Sequence, residues 1–425
     1  MARIALRILT LAGVLAVVTV YNTAWAGWTY TTIASTQSPA NGVSGLLGNP
    51  VINNNGEVAF VGEAPCQTQT TVCDEVLTWS ASSGLTKVFV APYVSFGSTT
   101  TAQLDSVTLN DSGQIAFHTQ VSTGLNVTDT ILRSNGQTVL PLLPKETTNI
   151  TIGPSFYNSP AILSNGRAVV FHEPLTEPVY FGYVTEGTSR PEALNQRYCF
   201  QQLSGEIQAP SEGPSVSAAG LLPFFARLPG DLGCAKASPQ LGLFVSNAMT
   251  LETTLYAGFG DMNSSSPYGT PYDNYMINNS GTVVFAAKTL PGYFNYTEGV
   301  FLVDNTGTVS GPIATIDEGS CSSGGGSCPY SSYSGGLAIN DSNTVVAGVY
   351  NYVPGTVPAN TAGVVLNGDF QQPIALPFQT INGCFVNSAS IGPHAINNSG
   401  QVVMLMTCGY TEVLYSMVVL ATPST

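Results

Sequence analysis

Short runs of β-favouring residues recur along nearly the whole chain, each broken by the same polar phrase. The phrase is an apolar residue followed by Asn-x-x-Gly-x-Val/Ile-x-Phe, and about seven copies can be aligned. The clear ones run from Asn53 through Gly56 to Phe60, from Asn110 through Gly113 to Phe117, and from Asn278 through Gly281 to Phe285. Two more keep the front half: Asn340 to Asn343, then Val345 and Ala347, and Asn397 to Gly400, then Val402 and Met404. Weaker echoes span Leu163 to Phe171 and Val216 to Phe224. Positions 56, 113, 166, 220, 281, 343 and 400 are 57, 53, 54, 61, 62 and 57 residues apart. A fixed long period is the signature of a repeat architecture.

Each position of the phrase has a physical reading. An Asn side chain bonds a backbone N–H two residues on, and Gly supplies positive φ without a steric cost. Asn343 stands where the other copies have Gly, and Asn tolerates that region best after Gly. The phrase therefore predicts a tight turn between two strands. The fifth repeat shows the whole unit: strands over Tyr272 to Ile277, Thr282 to Lys288, Gly299 to Asp304 and Val309 to Ile316, with Asn305 to Gly307 turning between the last two. Helical periodicity is absent outside the first 26 residues. A four-stranded sheet cannot bury both faces alone, so the units must stack, and radial stacking makes a β-propeller.

The expectation is an all-β fold of one domain, 27–425, with seven blades of about four antiparallel strands. After Gly400 only 25 residues remain, too few for a full blade. Gly27 to Thr36 resembles a fourth strand such as Pro312 to Ile316, so the N-terminal strand is expected to complete the last blade and close the ring. An open β-solenoid, or six blades with the region around Gly220 as an insertion, are the alternatives.

These residues resemble the exported bacterial proteins built from tandem Asn-x-x-Gly-x-x-Ala-Phe repeats, which often carry varied C-terminal anchors. The resemblance covers nearly the whole chain after residue 26 and is strongest at Asn53 to Phe60, Asn110 to Phe117 and Asn278 to Phe285. It implies architecture and supplies no shared catalytic residue. The chain departs from many members in showing no anchor after Ala421, which puts surface attachment in question.

Composition adds a compartment. Arg3 and Arg7, the apolar Ile8 to Val20, and Ala24-Trp25-Ala26 read as an export signal, residues 1–26, cleaved before Gly27. The protein is therefore expected outside the cytoplasm, secreted or periplasmic, and monomeric. Without that segment nine basic residues face 25 acidic ones, a net charge of −16, which disfavours nucleic-acid or anionic-lipid partners. Eight cysteines in an exported chain should be paired. Proximity suggests Cys66 with Cys73, Cys199 with Cys234, Cys321 with Cys328 and Cys384 with Cys408.

Candidate chemistry is sparse. No nucleophile elbow, zinc-binding helix or phosphate loop is present. His118 and His172 follow the motif Phe in successive repeats, so they occupy equivalent positions and are candidates for a shared metal or acid/base pair, against a reading as two hydrogen-bonded interface histidines. His394 precedes a motif and has no evident partner in sequence. Asp261 and Asn263 begin an alternating-oxygen pattern that suits calcium, although Gly is missing from the sixth position, and no other cofactor is expected. Loop aromatics Tyr293 and Tyr296, with Asp317 and Glu318, are candidate ligand residues. The function expected is a non-catalytic module binding a glycan or an extracellular protein through loops or the channel mouth. The alternative is a polysaccharide-acting hydrolase or lyase whose carboxylates converge from separate strands without leaving a motif.

Overall fold

The computed structural model describes residues 27–37, 43–66, 72–91, 100–123, 126–142, 146–149, 156–157, 160–173, 181–185, 192–193, 216–227, 240–250, 252–261, 268–289, 297–317, 332–351, 360–367, 370–409 and 414–424. Among them there is no helix, and the strands form seven antiparallel sheets in a propeller-like arrangement. The first sheet holds Gly45–Ile52, Val58–Pro65, Val72–Ser80 and Gly84–Val90 in simple up-and-down order. The fifth holds Tyr268–Ile277, Val283–Thr289, Thr297–Val303 and Val309–Asp317, matching the sequence expectation to within a few residues. In the seventh, Trp28–Ser35 pairs with Tyr415–Pro423, from Trp28 opposite Pro423 to Ser35 opposite Met417. The N-terminal strand thus completes the C-terminal sheet, as its composition suggests.

The core is a series of apolar clusters, each shared by neighbouring sheets. Ala59, Val76, Val107 and Phe117 join the first and second, Ile131, Ile162 and Val170 the second and third, and Leu163, Val216 and Leu222 the third and fourth. Leu243, Val245, Phe285 and Phe301 join the fourth and fifth, and Val284, Val300, Val345 and Val364 the fifth and sixth. One larger cluster runs from the sixth through the seventh to the first, including Val346, Met404, Val419 and Phe60. Contact therefore passes from each sheet to the next and returns to its start. The motif Phe is the anchor: Phe60, Phe117, Phe224 and Phe285 are among the largest fully buried side chains. Burying such a ring fully is worth about 1.5–3 kcal/mol.

Each motif turn has the backbone that its sequence demands. Gly56, Gly113, Gly166, Gly220, Gly281 and Gly400 have φ between 73° and 85°, as seen from 77° at Gly56, 73° at Gly113 and 85° at Gly281, and Asn343 takes 61° in the Gly position. The Asn oxygen accepts from the N–H two residues on, Asn53 Oδ1 from Asn55 N–H (3.0 Å) and Asn110 Oδ1 from Ser112 N–H (3.0 Å). It also accepts from the N–H four residues on, at Glu57 and Gln114 (both 2.9 Å).

Two of the expected disulfides lie among the described residues, Cys66–Cys73 and Cys384–Cys408. Cys199, Cys234, Cys321 and Cys328 lie outside them.

Candidate functional site

Because antiparallel strands alternate direction, the motif turns all gather at one end of the sheets. There they surround a cavity of about 80 Å³ to which all seven repeats contribute, through residues such as Asn53, Asn110, Ile162, Ser217, Asn278, Asn340 and Asn398. That is room for roughly five to eight waters, well short of the ~300–1,000 Å³ that small-molecule sites occupy.

The polar groups around this cavity are bonded mainly to each other. Beyond holding its own turn, the first Asn of the motif donates from Nδ2 to the carbonyl of the next repeat's first motif residue. Asn53 reaches Asn110 (2.9 Å), Asn110 reaches Leu163 (2.8 Å), Asn278 reaches Asn340 (3.0 Å), Asn340 reaches Asn397 (3.2 Å), and Asn397 closes onto Asn53 (3.3 Å). All five are at most 5% exposed, and a buried amide of this kind needs its full set of partners.

The second motif residues form another tier. Asn54 donates its N–H and Nδ2 to the two carboxylate oxygens of Asp111 (2.9 and 3.0 Å), and Asn279 does the same to Asp341 (2.9 and 3.1 Å). Asp341 also accepts from Asn398 Nδ2 (2.7 Å). Burial alone would raise the Asp341 pKa, but the bonds from Asn398 and Asn279 more than offset it and leave it below the usual carboxylate range. Two carboxylates thus face this mouth, both engaged as acceptors, which suits a clasp better than a proton donor. His394 lines the cavity too, with φ of 54° and its carbonyl accepting from Ile52 N–H (3.0 Å). Burial pushes its pKa down to about 4, so at neutral pH it is an uncharged imidazole.

The opposite end is built differently. The strand ends joined by 67–71, 228–239, 290–296, 318–331 and 352–359 lie there, and so do both described disulfides. In the first sheet Glu63 and Asp74 are direct cross-strand partners, one step from the pair Ala64 and Cys73. Such partners project from the same face with Cβ atoms about 4.5–5.5 Å apart, and two like charges so placed repel. Burial raises the Glu63 pKa and the neighbouring Asp74 charge raises it further. Burial also raises Asp74, partly countered by the N–H of Leu104 in the second sheet, which donates to its Oδ2 (3.0 Å). Gly45 lies across from Glu63, and a Cβ there would collide with the Glu63 carboxylate. On the other face, buried Glu75 is neutralised by Lys87. The Glu63–Asp74 pair is thus half-buried and close to a disulfide, with both pKa values raised, which marks it as a functional candidate.

The residues singled out from sequence fare unevenly. His118 stands opposite Ser106 and Ile131 and is 3% exposed, a buried position in its sheet. His172 stands opposite Tyr157 and Phe181, the equivalent strand position in the third sheet. Asp261 and Asp317 are the last residues of their strands, opposite Gln240 and Thr297. Asn263, Tyr293, Tyr296 and Glu318 lie outside the described residues. Among the described residues no three His, Cys, Asp or Glu side chains converge as a metal site. Glu63, Asp74 and His394 were not reached as a site from sequence: the two acids are joined only by strand register, and no motif marks them.

No protein-family model matches the chain, and neither does any curated protein. Solved structures resemble it in shape. The acylaminoacyl peptidase of Pyrococcus horikoshii has 9% identity over 89% of this chain and 52% of that chain, with a TM-score of 0.46. The β-propeller domain of the trilobed protease from Pyrococcus furiosus has 11% identity over 80% and 98%, at 0.35. A polysaccharide lyase, an ulvan lyase, has 10% identity over 90% and 97%, at 0.44. The chain spans about half the length of the first of these. At such identities and scores the likeness transfers no activity.

Proposed function

We propose that the chain is an exported, seven-bladed β-propeller that acts on an extracellular polysaccharide at its disulfide-braced end, with Glu63 and Asp74 as a general acid–base pair. The observation that carries this reading is the pair itself: two acids in cross-strand register, both with raised pKa, at the end where the long connections begin and end. A raised pKa on one carboxyl would let it donate to a leaving oxygen while the other acts ionised. Paired cysteines and the residue 1–26 pattern support export. Calcium at Asp261 and Asn263 remains part of the proposal as a structural ion.

The test is incubation of Gly27 to Thr425 with a panel of polysaccharides, reading new reducing ends and unsaturated products, with and without chelator. Glu63→Gln and Asp74→Asn should each lower turnover by about 10²-fold or more while Tm holds or rises. Full activity in both variants would remove the pair from the chemistry. A second reading, a non-catalytic glycan-binding module, is favoured by an exposed aromatic at the same end, and binding without cleavage would establish it.

A further inference from the structure

The outer strand of the sixth sheet, Phe370–Ala375, leads at that same end into a turn and then a hairpin formed by Thr380–Ile381 and Cys384–Ser390. Phe378 sits in the turn with φ of 67° and is 53% exposed. A bulky residue rarely occupies that backbone region, where Gly or Asn is the ordinary choice. Here the strained residue does not bury its ring in return. The outlier invites a functional explanation.

The turn is held firmly. Phe378 N–H donates to Val386 O (2.7 Å), and Val386 N–H donates to Gln379 O (2.8 Å). At the hairpin tip, Asn382 and Gly383 have φ of 51° and 82°, the pattern of a tight two-residue turn. Asn382 Nδ2 ties the tip to Tyr30 O (3.0 Å) and Thr32 Oγ1 (3.2 Å), and Tyr415 Oη donates to Gly383 O (3.3 Å). Cys384–Cys408 fixes the strand that follows. The Phe385 ring lies 6.1 Å from that of Phe378 at 49°, so the exposed ring is backed by a second one.

The chemistry around it selects the occupant. From Phe370 to Pro393 the chain carries no charged residue. Gln379, Thr380, Asn382 and Asn387 supply the same segment with uncharged donors and acceptors. An ionic ligand would find no counter-charge on this segment. A pyranose presents an apolar C–H face to an aromatic ring and hydroxyls to neighbouring amides, which this arrangement matches.

We infer that Phe378 is the stacking platform of a subsite for an uncharged sugar ring. This rests on the polysaccharide reading above and names one residue and one substrate class within it. The test is affinity gel electrophoresis of the full chain in gels containing soluble neutral or anionic polysaccharides, with Phe378→Ala, Phe378→Gly and Phe378→Trp. Wild type is expected to be retarded by at least one neutral polysaccharide. The Ala and Gly variants should bind roughly tenfold more weakly, with Tm unchanged or, for Gly, raised as the strain is released. The Trp variant, which keeps an aromatic face, should bind as wild type does. Wild-type retardation that Phe378→Ala leaves intact overturns the platform and spares the polysaccharide reading. Retardation by anionic polysaccharides alone overturns the uncharged substrate. No retardation of wild type in any gel overturns both and points to a protein occupant.

Discussion

The joints between successive sheets are of two kinds. At five of them the motif Asn of one repeat donates across the joint to the next, and at two it does not. The third repeat has Leu163 in place of Asn, and the fourth has Ser217. Leu163 packs instead with Val216, Leu222 and Ala248, so burial replaces the amide bond. Ser217 Oγ still holds its own turn by accepting from Leu221 N–H (3.1 Å), but a hydroxyl is too short to reach Asn278. That joint keeps a second-tier contact, Ala219 N–H to Asn279 Oδ1 (3.3 Å). A repeat can therefore lose its interblade bond and keep its turn, because one side chain performs both tasks with different atoms.

Breaking a linked joint should have the largest effect. Asn340→Ala removes the donor to Asn397 O and the acceptor for Ser342 and Thr344 N–H. Leaving buried backbone groups unpaired costs about 1–3 kcal/mol each, so a loss of roughly 3–5 kcal/mol is expected in urea unfolding. A cost under about 1 kcal/mol, the size of a minor surface change, would show that the ring of amides is ornamental.

Acid should load the joint between the seventh repeat and the first through His394. Its pKa is lowered from 6.5 to about 4, so the stabilisation due to the neutral ring is complete above pH 6.5 and is lost as pH falls toward 4. The loss is on the order of 2–3 kcal/mol. His394→Asn, which tolerates the positive φ, should flatten that slope. The Glu63–Asp74 pair works with the opposite sign. Its raised pKa values favour the protonated fold, so its contribution falls as pH rises above the unfolded carboxylate values of 4.5 and 3.8. Measuring both histidine forms in a Glu63→Gln background separates the two.

The smallest and most pointed change converts an unlinked joint into a linked one. Ser217→Asn keeps the turn acceptor and adds an Nδ2 donor toward Asn278 O. A gain of about 0.5–1.5 kcal/mol is expected, read as a shifted midpoint at constant m-value. A loss would mean that the fourth joint is spaced too widely for the bond.

Much of the fold was legible because it is written locally. Positive φ at Gly56 or Asn343 and the buried ring of Phe285 follow from residue types within one turn of chain. The closing strand was legible from a deficit at one end and a surplus at the other. The candidate acids were not, since Glu63 and Asp74 are set face to face only by the register of a hairpin whose strands are separated by 67–71. The exposed ring of Phe378 was equally invisible, because an apolar Leu-Pro-Phe segment reads as core.

What the sequence by itself determined is the repeating unit, its turn, its four strands and the need to stack, all of which follow from short-range sterics and alternating burial. Only the tertiary structure decided that the turn Asn also spans the joint, that Glu63 and Asp74 stand in register at the disulfide-braced end, and that the Phe378 ring faces water. Those facts depend on which distant backbone atoms arrive beside a given side chain, and the folded ring alone supplies that information.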